Sequence, residues 1–167
     1  MHRAGQASSN EALDVGTVAR CRRSIVIRPM RMELVKEIVA DLRRGDGMIT
    51  EPETQLKRVL ESSTEAYIAY FNERPAAVWG LHSESLLDSS VGVWMVTTPV
   101  IEHYRMSFVR SAVAFRRQLL ERFELIYGLV DAKQTQAIRW LEWHGFTVLQ
   151  PFKMDKLLVR RFEMRRG

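Results

Sequence analysis

The chain has 167 residues, 46% hydrophobic and 27% charged, which suits one soluble globular domain large enough to bury a core. No run of about 18 apolar residues occurs, which argues against a transmembrane helix, and the charged N-terminus lacks the apolar stretch of a secretory signal. Its lone cysteine, Cys21, excludes an internal disulfide and a cysteine-based metal site, and the net charge of +5 leaves nucleic acid or an acidic protein as conceivable partners.

Residues 1–22 are polar and small with no sustained period, and they read as a flexible arm ahead of a single domain over 23–167. Order begins with SIVIRPM, a strand in which Ile25 and Ile27 share a face and Pro29 ends the run. RMELVKEIVADLRRGDG places Met32, Val35, Ile38, Val39 and Leu42 on one helical stripe, with Gly45 and Gly47 as stop signals. EPETQLKRVLESS is a second helix with Pro52 in its first turn. EAYIAYFN and AAVWGLHSES form a hairpin around ERP, and LDSS turns the chain into the strand VGVWMVTT.

After Pro99 a long amphipathic helix is expected from about His103 to Phe123, burying Phe108, Ala112, Phe115, Leu119 and Phe123. LIYGLVDA follows as a short buried strand. KQTQAIRWLEWHGF is a helix ended by Gly145, and TVLQPFKM and KLLVRRFEM close the chain as strands. The order β-α-α-β-β-β-α-β-α-β-β predicts an α+β fold, a mixed and mostly antiparallel sheet flanked by helices. Its one crossover joins strand 91–98, helix 103–123 and strand 125–131.

Residues 153–167 hold Lys153, Lys156, Arg160, Arg161, Arg165 and Arg166 against Asp155 and Glu163. This basic stretch is either a weak nucleic-acid contact or a solvated edge strand whose charge discourages sheet-to-sheet aggregation.

The element order, with QAIRWLEWHGF at 136–146, resembles the GNAT acyltransferase fold. A narrower likeness joins VWMVTT, the arginine-rich helix with LLERFELIYGLV, and TQAIRWLEWHGFTV. This pattern is similar to the internal virion protein A family of short-tailed, podovirus-type bacteriophages, whose members look like degenerate GNAT domains. The positions that carry it are Trp94, Val96, Thr97, Thr98, Leu120, Glu121, Thr135, Ile138, Leu141 and Gly145.

The GNAT resemblance implies an acyl-CoA site with two requirements. The start of the long helix must bring backbone N–H groups close to a diphosphate, a task that glycines make possible. Here TTPVIEHYRMS has no glycine, Pro99 removes a donor, and Glu102 sets negative charge beside phosphate. Val96, Thr97, Thr98, Tyr104 and Arg105 are the candidate cofactor-binding positions, Arg105 as a charged clamp. The leaving thiolate also needs a proton, and the family's tyrosine is replaced by Leu141.

Candidate catalytic side chains are Glu84, Glu102 and His103, with His82 as a further base. Each has a plain alternative: His82 as a surface histidine of its strand, His103 and Tyr104 as first-turn surface, and Thr97 and Thr98 as partners for strand-end backbone groups. His144, near a helix C-terminus, is placed where the dipole favours a partly positive imidazole. The histidines at 2, 82, 103 and 144 form no metal motif.

The resemblance thus implies a non-enzymatic virion or morphogenesis component without a cofactor. It would meet other phage virion or assembly proteins, in the virion or the host cytoplasm. The alternative is an acetyl-CoA-dependent N-acetyltransferase acting on a host amine.

Overall fold

The computed structural model describes residues 25–42, 51–85 and 87–167; the expected arm at 1–22 and the stop glycines Gly45 and Gly47 lie outside them. Strand β1 (Ile25–Pro29) leads through a 3-10 turn (Met32–Leu34) into α1 (Val35–Val39), followed by α2 (Pro52–Ser62). Strands β2 (Glu65–Phe71), β3 (Arg74–His82) and β4 (Ser90–Thr97) come next. A 3-10 helix (Pro99–Tyr104) then opens α3 (Arg105–Arg122), and β5 (Leu125–Asp131), α4 (Thr135–Trp143), β6 (Thr147–Met154) and β7 (Leu157–Arg165) complete the chain.

The seven strands form one sheet in the order β1-β2-β3-β4-β5-β7-β6. Every neighbouring pair is antiparallel except β4 with β5, the parallel pair that the helical crossover requires. The expected α+β class holds. One expectation changes: β7 lies between β5 and β6, so its arginines do not sit on an edge strand, and the edge belongs to β6. Arg160 is spent on its neighbour, donating to the carbonyls of Leu149 at 2.7 Å and Val148 at 3.1 Å, where β6 bulges before Pro151.

Alternation along the strands sorts the core onto two faces. Ile68, Tyr70 and Val78 pack with Val35 and Ile38 of α1 and Leu56 of α2, with Trp94 and Val96 at the border. On the opposite face Trp79 and Leu81 meet Phe115 and Leu119 of α3. Val130 and Phe162 meet Ile138 and Leu141 of α4 on that same face. Each of these large side chains contributes about 1.5–3 kcal/mol by leaving water.

Turn chemistry fixes the connections. The β2–β3 turn is Asn72-Glu73, both at positive φ (47° and 66°), so β3 starts at Arg74 and takes in Pro75. Pro75, which has no N–H to give a ladder, lies at the register shift opposite Tyr70. Helix α4 ends with Gly145 at φ 87°, where the Phe146 N–H reaches the Leu141 carbonyl and the Gly145 N–H that of Glu142. Arg116 of α3 donates to the neighbouring His144 carbonyl, tying the two helices together.

Candidate functional site

The parallel pair holds the feature that sets this site apart. β4 and β5 pair only at Ser90–Leu125, Val91–Ile126 and Gly92–Tyr127. Beyond that rung β4 stays paired with β3 as far as Thr97, and β5 with β7 as far as Asp131, yet the two no longer pair with each other. Their facing edges therefore border a wedge in the middle of the sheet, lined by backbone N–H and C=O groups with no partner strand. Such groups call for hydrogen-bonding partners.

On the α1/α2 face of the sheet, a row of side chains crosses the closed end of this wedge. His82 pairs with Gly92, Gly92 with Tyr127, and Tyr127 with Glu163. The Tyr127 ring lies across Gly92, where a Cβ would stand 3.4 Å from Cζ, so the missing side chain makes room for the ring. Arg161, opposite Leu129 on β7, holds its guanidinium carbon 4.5 Å over the Tyr127 ring. Its Nε donates to Glu163 Oε2 at 3.2 Å. Trp94 closes the other side, lying over Gly80 and donating from Nε1 to Ser63 Oγ at 2.8 Å.

His82 Nδ1 lies 2.9 Å from the Ser62 carbonyl oxygen. A carbonyl can only accept, so Nδ1 carries a proton, and in the neutral imidazole the lone pair is on Nε2. This is the tautomer that a proton acceptor needs.

The other candidates are divided by the length of the sheet. Glu84 follows β3 at the closed end of the wedge, whereas Glu102 and His103 sit in the 3-10 helix beyond the open end. The eight residues of β4 between them span roughly 25 Å, so these groups cannot serve one reacting atom.

Thr98 is fully buried, and its hydroxyl donates to the Pro75 carbonyl at 2.7 Å, so it ties off the strand end and lines no pocket. Thr97 stays in the ladder opposite Ala77, and Val96 packs at the border of the α1/α2 core. Tyr104 stacks on Phe71 at 4.7 Å and accepts from Asn72 at 2.7 Å, which turns it toward the β2–β3 turn and away from the wedge.

The junction after β4 departs from expectation in its helix. His103 and Tyr104, expected to open the long helix, instead end the 3-10 helix Pro99–Tyr104, whose Val100 packs on Phe71 and Ala76. α3 begins at Arg105, an exposed residue. The Ile101 N–H of this turn donates to the Thr98 carbonyl, and Val100 anchors it toward β2 and β3.

One expectation about a single residue also changes. His144 is 5% exposed, and burial, then the nearby Arg116 charge, lowers its pKa below the ordinary 6.5; its imidazole is neutral, against the dipole expectation. Leu141 is buried with Val130, Ile138 and Phe162, on the face opposite Tyr127. Among the described residues no group of three His, Cys, Asp or Glu side chains could hold a metal, and no helix is long and apolar enough to cross a membrane. An apolar groove of about 240 Å³ between β1 and α3 contains none of the candidates.

Tyr127 and Arg161 escaped notice as site residues in the sequence. The signal was Gly128 inside an apolar strand, which marks a close backbone approach.

No protein-family model matches the chain, and no curated protein does. Solved structures do. A chimera of the spermidine N-acetyltransferase from Vibrio cholerae superposes with a TM-score of 0.64 at 13% identity, covering 85% of this chain and 95% of the other. An N-acetyltransferase from Staphylococcus aureus gives 0.59 at 9% identity, covering 86% and 99%. A GNAT-family acetyltransferase from Streptococcus pneumoniae gives 0.56 at 15%, covering 86% and 100%. At these identities the likeness speaks for architecture alone: the chain has the fold of the GNAT acetyltransferases.

Proposed function

We propose that the chain is an N-acyltransferase whose donor is a pantetheine thioester such as acetyl-CoA, laid along the wedge between β4 and β5. The observation that carries this reading is the loss of β4–β5 pairing after Gly92, which leaves an amide-lined slot where an amide-bearing arm can replace the missing strand. The acetyltransferase structures that share the fold support it.

The fit divides at the two ends of such a donor. The slot suits the pantetheine arm. The glycine-free 3-10 helix does not suit the diphosphate, which leaves the exposed Arg105 as a side-chain contact in place of a backbone cradle.

When bound, the thioester supplies the carbonyl that an amine attacks. This chain's part is to hold the arm and move protons. Backbone amides of the β4 edge donate to the arm and to a developing oxyanion. His82 Nε2, with its tautomer fixed by Ser62, takes the proton of the attacking amine. The Tyr127 hydroxyl, on the same face at the wedge's closed end, supplies a proton to the departing sulfur in place of the tyrosine that Leu141 replaces. Isothermal titration with acetyl-CoA tests the reading: saturable heat supports it, and no heat at millimolar ligand removes it.

A second reading rests on the 3-10 helix itself. A wedge without a phosphate cradle fits a non-catalytic GNAT-like module, such as a phage virion or assembly component that meets other phage proteins. Detection of the chain in purified virions, with no acetyl-CoA binding, would favour it.

A further inference from the structure

Resting on the acyl-transfer reading, we propose that Arg161 selects the acceptor, which is an amine that also carries a carboxylate, with an α-amino acid as its simplest form. Three observations lead there. The guanidinium lies over the Tyr127 ring and is held by Glu163 on Nε, while among the described residues Nη1 and Nη2 have no protein acceptor. A planar fork with both outer nitrogens unspent matches a carboxylate bidentately. The fork is reachable: on its face the described helices α1 and α2 pack on Ile68, Tyr70 and Val78 of β2 and β3, and Leu129 opposite Arg161 is 39% exposed.

The surrounding charges choose among anions. Glu163 sits against Arg161 and cancels part of its charge, so a singly charged carboxylate suits the site better than a phosphate dianion. Distance then sets the acceptor's size. The Tyr127 backbone lies two strands from His82, about 10 Å across the sheet, and its ring, beneath the guanidinium, leans over Gly92 on the strand between. An α-amino acid with a hydrogen bond at each end covers that span. Its carboxylate would rest on Arg161, with its nitrogen near His82 Nε2 and the wedge beside it.

A purely structural arginine would only shield the Tyr127 ring, and the test separates the two roles. The full chain, without acyl donor, is titrated with pooled α-amino acids and with the matched amines that lack the carboxylate. Binding is read from the Arg161 Nε–H resonance and from tryptophan fluorescence. The proposal expects amino acids to bind at least about tenfold more tightly and to shift that resonance. It also expects Arg161→Gln to erase the preference and Arg161→Lys to keep part of it, with the bare amines unaffected. Equal binding of acids and amines, a preference that survives in Arg161→Gln, or no amino-acid binding overturns it. Should Arg161→Gln not fold, the wild-type preference and the Nε–H shift decide. Acetyl transfer from acetyl-CoA is assayed alongside. Amino-acid binding without transfer retires the transferase reading alone, whereas transfer to bare amines with the same KM retires the role of Arg161 alone.

Discussion

A Cβ placed on Gly128 would stand 2.6 Å from the carbonyl oxygen of Val93 and would also strike the Phe162 ring. Gly128 and Val93 lie one residue past the last β4–β5 rung, so this contact marks the point at which the strands part. The wedge closes as tightly as it does because no side chain intervenes.

Gly128→Ala should therefore push the strands apart or displace Phe162. We expect a loss of about 1–3 kcal/mol in urea unfolding, with the m-value unchanged. Wild-type stability in this variant would contradict so tight a closure.

His82→Asn keeps an N–H for the Ser62 carbonyl but removes the lone pair of Nε2. If His82 takes the amine proton, kcat/KM falls by about 100-fold. A variant with wild-type kcat/KM would clear His82 of this role.

The glycine-free turn after β4 makes a prediction about the donor. With no backbone cradle for the diphosphate, S-acetylpantetheine should serve with a KM within about tenfold of that for acetyl-CoA. A donor that loses 1,000-fold or more on losing its nucleotide would show that the phosphates are gripped after all.

His144 gives the fold a pH dependence of known sign. Burial and Arg116 lower its folded pKa below 6.5, so the unfolded chain binds the proton more readily. Its contribution to stability is complete above pH 6.5 and declines as pH falls from there toward the folded pKa. Urea midpoints should drop between pH 7 and pH 5, and His144→Leu should flatten that part of the drop. An unchanged slope in the variant would assign the acid sensitivity to other groups.

Much of the fold was legible because hydrophobic period and turn residues agreed. Pro52 opens α2, Gly145 closes α4, and the last two strands, 147–154 and 157–165, fall within a residue of TVLQPFKM and KLLVRRFEM. Sheet order was harder. Nothing local tells β7 to insert beside β5, since that choice is made by long-range packing of Val130 and Phe162 beneath α4. The site was legible in part. The candidates Thr98 and Tyr104 turned out to be held by Pro75, Asn72 and Phe71, contacts made far along the chain. Tyr127 and Arg161 became a pair only when β5 and β7 paired.

The claim that an acyl-pantetheine arm fills the wedge is tested most directly by mapping amide resonances of the full chain as acetyl-CoA is added. The account predicts saturable shifts concentrated at Val93–Thr97 and Gly128–Asp131. Resonances there that stay still at millimolar acetyl-CoA, or shifts confined to other parts of the sheet, would contradict it.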